Sequence, residues 1–116
     1  MNYNSNFKYD LEAGQRTEQL LGRVLEHHKI EVKDDSAKSA KTGNVFIEYR
    51  SRGKRSGIAK SHADWWAIYT SEDTFVLVSA EKLKKLCRKY YNLKRIVKGG
   101  DNNTSWGILI PREELL

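Results

Sequence analysis

Two short runs, Ile30-Glu31-Val32-Lys33 and Val45-Phe46-Ile47-Glu48-Tyr49, set apolar against polar positions with a period of two. That period belongs to a strand with one buried face. In the first run Ile30 and Val32 share one face, and Glu31 and Lys33 the other. In the second, Val45, Ile47 and Tyr49 oppose Phe46, Glu48 and Arg50. Upstream, Leu20, Leu21, Val24 and Leu25 recur at helical spacing and predict a helix over 10–27. The reading continues as strand one over 29–33, a polar loop over 34–43, and strand two over 44–50, hairpin-paired with strand one. A basic loop with two glycines follows over 50–60.

Ser61-His62-Ala63-Asp64 has capping-box spacing and predicts a short helical turn. Strands three (65–69) and four (75–78) flank a tight polar turn at 71–74. Ser79 is placed to cap a helix from Ala80 to about Tyr90, with Glu81 in its first turn and Leu83, Leu86 and Tyr90 as its apolar stripe. An edge strand (95–98), a turn-rich loop (99–105) and a last short strand (107–110) complete the chain. The order αββββαβ predicts an α+β (α/β-like) fold, with a central mixed sheet of about four to five strands flanked by two helices.

Composition narrows the class. The 116 residues fit one domain over 1–116, with the polar stretch Met1 to Asn6 as a loose start. Hydrophobic residues make up 39% and charged residues 31%, and the formal net charge is +6. Such a surface suits a polyanion, nucleic acid before an anionic membrane. No stretch is long and apolar enough to cross a bilayer and none reads as a signal peptide, so a cytoplasmic protein without a membrane partner is expected. The single cysteine, Cys87, excludes an intrachain disulfide and a cysteine-based zinc site, and its place beside an apolar stripe predicts packing.

The chemistry gathers on the polar faces of the first two strands. A hairpin between them brings Glu31, Lys33 and Glu48 together, with Glu31 and Glu48 roughly 5 Å apart between Cβ atoms if directly opposed. Two carboxylates that close repel unless a proton or a cation lies between them. Magnesium, with manganese as a substitute, prefers such oxygen ligands and can activate a water for attack on a phosphate. Lys33 can orient that water or stabilise charge on the phosphate. The competing reading is a cross-strand salt-bridge set. Glu18, on the helix flank, is a further ligand candidate or an ordinary exposed glutamate. Asp34 and Asp35 either join the site as outer ligands or open a loop.

His27, His28 and His62 lack a second ligand at useful spacing and read as surface or capping residues. Trp65 and Trp66, adjacent in a strand, divide between core and exterior, packing rather than base stacking. Arg50, Arg52, Lys54, Arg55 and Lys60 in the loop, with Lys85 and Lys89 on the second helix, are the candidate nucleic-acid contacts.

The ordered set of helix Glu18, strands with Glu31-Val32-Lys33 and Glu48, then further strands, helix and strand, resembles the PD-(D/E)XK nuclease superfamily. The segments Ile30–Lys33, Thr42–Tyr49, Ser56–Ile58 and Ala63–Trp66 carry the likeness, which covers nearly the whole chain. Within the superfamily the chain is similar to small phage-type endonucleases and Holliday-junction resolvases. The resemblance implies a restriction-endonuclease-like fold and a magnesium-dependent DNA endonuclease. It implies Glu31, Glu48 and Glu18 on the metal, Lys33 at the water, and Gln15 assisting. It also implies DNA, double-stranded or branched, as substrate, a homodimer, and phage origin with action in a host cytoplasm. The chain departs from the pattern in having Arg50 rather than lysine two positions after Glu48, so Lys33 reaches across from the first strand. The alternatives are a non-catalytic nucleic-acid-binding module of the same fold and, third, an RNA-directed nuclease.

Overall fold

The structure is a computed structural model and describes residues 14–23, 25–26 and 28–116. Met1 to Asn6, the expected helix start at 10–13, Val24 and His27 lie outside the described residues. The expected first helix is present over 14–23 and 25–26 (α1). Then come β1 (Ile30–Asp34), α2 (Ser36–Thr42), β2 (Asn44–Ser51), β3 (Lys54–Arg55), β4 (Trp65–Ser71), β5 (Thr74–Ser79), α3 (Ala80–Asn92), β6 (Ile96–Gly99) and β7 (Ser105–Pro111). Single 3-10 turns occupy Gly57–Ala59, Asp101–Asn103 and Arg112–Leu115.

The α+β expectation holds, but the strands divide between two sheets: β1-β4-β5, and β3-β2-β7-β6. The expected hairpin of the first two strands does not form. β1 pairs in parallel with β4, placing Glu31 beside Trp66 and Lys33 beside Ile68, while β2 pairs antiparallel with β7. The intervening segment 34–43 is helix α2 rather than a loop. A parallel pair needs a crossover connection, and α2 together with the β2–β3 arm supplies it. Asp34 accepts from the Ser36 N–H (3.1 Å) and hydroxyl (2.7 Å) and so starts α2, and the Gly43 N–H closes it on the Ser39 carbonyl at 2.8 Å.

Ser61 starts no helical turn. Its hydroxyl accepts the Ala63 N–H, and Asp64 accepts the Lys29 N–H at 3.1 Å, tying the start of β4 to that of β1. Ser79 caps α3 as expected, accepting the Lys82 N–H at 3.1 Å. Ala80, Leu83, Cys87 and Tyr90 recur at helical spacing and form the buried stripe of α3. That stripe joins Val45, Ile47, Ile108 and Ile110 of the second sheet to Trp66, Ile68 and Val78 of the first in one core. Of the tryptophan pair, Trp66 is buried and Trp65 half-buried. β2 and β3 turn through Arg52 and Gly53, both with positive φ (50° and 78°), as a two-residue type I′ hairpin loop requires.

Cys87 packs as expected. Burial pushes its thiol up to about 12, although Arg88 opposes the shift. An acid whose folded pKa lies above its unfolded value holds its stability contribution below the unfolded pKa, and loses it as pH rises toward the folded one. Cys87 is therefore expected to resist iodoacetamide at pH 8 until urea unfolds the chain. The unfolding free energy from urea titrations should fall above pH ~9, by up to roughly 1.4 kcal/mol per pH unit, with a shallower fall in Cys87→Ala. Ready alkylation of the folded protein would contradict this.

Candidate functional site

The second face of β2 carries the site. Val45 and Ile47 point into the core, so Phe46 and Glu48 point the other way and are half-buried. Phe46 lies across Gly107 of β7 and Gly99 of β6. A Cβ on Gly107 would stand 2.3 Å from the Phe46 ring, and one on Gly99 2.9 Å. Those two glycines let the ring lie flat beside Glu48. The Lys33 ammonium stands over the same ring, 5.6 Å from its centroid. β1 thus reaches the second sheet through a cation–π contact rather than through a ladder.

Lys33, Asp34, Asp35, Ser36, Phe46, Glu48 and Gly100 line one open cleft. Asp35 is buried and accepts the Phe46 N–H at 2.8 Å, which fixes the start of α2 against β2. The Ser36 hydroxyl, and then the Ser36 N–H, hold the Asp34 carboxyl below its ordinary range, so it stays anionic. One wall of the cleft is Gly100, which opens the loop 100–104. Its Thr104 carbonyl accepts the Arg52 N–H at 3.0 Å, so the same loop also braces the tip of the basic hairpin.

The structure therefore brings together two of the expected site residues, Lys33 and Glu48. Glu31 shares its β1 face with Lys33 but lines a neighbouring cleft with Lys60, Ser61 and His62. The expected opposition of Glu31 and Glu48 fails because the strands bearing them are not paired. Glu18 and Gln15 are exposed on α1. Val32, expected on a buried face, is 64% exposed, whereas Lys33 is half-buried. Asp34 and Asp35, which the sequence left between ligand and loop opener, line the Lys33–Glu48 cleft. Their signal was the Lys-Asp-Asp run that ends β1.

Among the described residues no three Asp, Glu, His or Cys side chains gather as a metal-holding group. The donors in the cleft still fit magnesium in its usual economy, one or two carboxylates with water and substrate phosphate completing the shell. Glu48 with Asp34 or Asp35 would hold it, and the ion would supply Lewis-acid activation of the phosphate and a more acidic bound water.

Arg50, Arg52, Lys54, Arg55 and Lys60 are all exposed around the hairpin and the turn after it. Lys85 and Lys89 are partly neutralised, Lys85 by Glu81 at 3.4 Å and Lys89 by Glu114 at 3.3 Å. No helix among the described residues is long and apolar enough to cross a membrane. No family model, curated protein or solved structure matches this chain.

Proposed function

We propose that the protein is a magnesium-dependent DNA endonuclease of the PD-(D/E)XK kind, hydrolysing phosphodiester bonds at the cleft between β1 and β2. The observation that carries this reading is the convergence of Lys33, Glu48, Asp34 and Asp35 on one open cleft, beside an exposed basic hairpin. Glu48 and Asp34 are the anionic donors. Lys33, held over Phe46, offers a fixed ammonium to the charge that develops on a phosphate under attack. Manganese serves in place of magnesium. Glu31 extends the polar row of β1 toward Lys60 and His62, where a phosphate neighbouring the scissile one can lie. Arg52, Lys54 and Arg55 track the backbone, releasing counterions as they do so. One such cleft per chain makes a homodimer the simplest route to cutting both strands of a duplex.

The second reading is a non-catalytic nucleic-acid-binding module, which would use the exposed basic hairpin alone. Incubation with supercoiled plasmid separates the two. The nuclease reading expects nicked and linear products with magnesium or manganese and none with EDTA. Salt-sensitive binding with no scission in either condition would establish the binding module instead. An RNA substrate run in parallel addresses the RNA-directed alternative.

A further inference from the structure

The register of the second sheet sets four side chains in a row that the sequence pattern does not reveal. Arg55 of β3 lies opposite Arg50 of β2, Arg50 opposite Trp106 of β7, and Trp106 opposite Lys98 of β6. Directly opposed residues of antiparallel strands project from the same face. The row therefore crosses the sheet as cation, cation, indole, cation, on strands about 4.8 Å apart. A bulge between Glu48 and Arg50 produces it by resetting the β2 register before the strand reaches Trp106.

All four members are exposed, and Trp106, at 38%, is exposed although it shares its face of β7 with the buried Ile108 and Ile110. Tyr91, in the last turn of α3, is 48% exposed and meets Tyr49, the residue before Arg50, edge-on with ring centroids 5.8 Å apart. The uncovered aromatic surface thus continues beside the row.

The charges are not explained by folding. Two arginines directly opposed across a hairpin repel each other. Each guanidinium is anchored by a backbone carbonyl, Arg50 on Gly53 and Arg55 on Ala59, and among the described residues neither they nor Lys98 pair with a carboxylate. Lys98 stands 5.1 Å from the Trp106 ring centroid, which holds the indole in place while leaving a cation that can move to an anion. An aromatic plane with cations on both sides matches a strand that alternates bases with phosphates. In a duplex the faces of the bases are covered by their neighbours, so an indole can stack only on an unpaired base.

We infer that the Arg55–Arg50–Trp106–Lys98 row is a seat for a single-stranded nucleic-acid segment. Trp106 stacks an unpaired base, and the flanking cations hold the adjoining phosphates. This rests on nucleic acid as the ligand, as in the proposed function, and deepens it by naming substrates with unpaired stretches, such as forks, flaps or bubbles. It does not require cleavage.

The test uses the full chain in EDTA with a fluorescently labelled oligodeoxynucleotide, single-stranded or annealed to its complement, and reads anisotropy. Trp106→Ala is expected to weaken single-strand binding about tenfold to a hundredfold and duplex binding far less. Trp106→Phe, which keeps an aromatic face, should stay within about threefold of wild type. Arg50→Gln and Lys98→Gln should each flatten the dependence of log affinity on log salt by about 0.7. Circular dichroism of each variant confirms the fold. Wild-type single-strand affinity in Trp106→Ala, or equal losses in Trp106→Ala and Trp106→Phe, would overturn the seat, as would equal losses for single strand and duplex. Plasmid scission in magnesium, scored in parallel, keeps the two proposals apart. Lost scission with this binding pattern intact removes only the nuclease, and intact scission without the pattern removes only the seat.

Discussion

Glu48→Gln is expected to lower magnesium-dependent plasmid scission about 10²–10⁴-fold, the range over which a positioned acid–base or charge-stabilising group contributes. The same variant should melt within about 2 °C of wild type, because the substitution keeps the shape of a half-buried side chain that bears no ion pair among the described residues. Lys33→Ala should fall in the lower part of that range, since it removes a charge from the cleft and a cation from the Phe46 ring but leaves the donors in place. Glu31→Gln is the informative contrast. Had β1 and β2 formed a hairpin, Glu31 and Glu48 would be equivalent ligands and both substitutions would abolish cutting. With Glu31 in a neighbouring cleft, its loss should be under about tenfold and Asp34→Asn should be the more damaging. Single-turnover scission with excess protein measures these ratios free of product release. Equal loss in Glu31→Gln and Glu48→Gln would place the chemistry between the clefts rather than in the one that Lys33 lines.

That contrast traces what the chain shows before it is folded. Local signals were legible. The stripe Leu83, Leu86, Tyr90 and the Ser79 cap announced α3, although Cys87 rather than Leu86 fills the buried face, and the polar turn at 71–74 announced the β4–β5 pair. The strand character of 30–33 was legible too, but an alternating pattern states which residues share a face, not which strand lies alongside. β1 finds its neighbour more than thirty residues away in β4, and the adjacent β2 finds its own in β7. Helix α2 was missed because Ser36–Thr42 has no apolar residue larger than alanine, so it lacks the stripe that marks a packed helix. Its alanines and lysines are good helix formers, and Gly43 stands where a helix commonly ends. The candidate site shifted with the topology. Lys33 and Glu48 stayed together because Lys33 of β1 stands over Phe46, two residues before Glu48 on β2, whereas Glu31, paired beside β4, lines the cleft with Lys60. The row through Trp106 depends on a bulge and on three registers at once, none of which a linear pattern encodes.

Gly57→Ala is expected to destabilise the protein by roughly 2–4 kcal/mol, the sum of a strained left-handed backbone and an overpacked contact. Gly57 has φ +51°, and a Cβ there would stand 2.1 Å from the backbone carbonyl oxygen of Glu48. The obstacle is main chain in the middle of β2, held on its other side by the ladder to β7, so no side-chain rotation relieves it. The 3-10 turn that Gly57 opens also delivers Ile58 to the core, and withdrawing the turn would expose Ile58 and lengthen the contact with β2. If instead the turn stays and β2 yields, the shift falls on Glu48 itself and displaces its carboxylate. Gly57→Ala should therefore lose scission and stability together, with a melting temperature lower by on the order of 10 °C. Gly53→Asn supplies the control. Gly53 also has positive φ (78°), but a Cβ there meets nothing within 4 Å, and asparagine is tolerated in such a hairpin turn. Its change should stay within about 1 kcal/mol and leave cutting intact. Thermal melts of the two variants decide between crowding and backbone strain. If Gly53→Asn falls as far as Gly57→Ala, the left-handed conformation alone is responsible and the close approach to Glu48 contributes nothing.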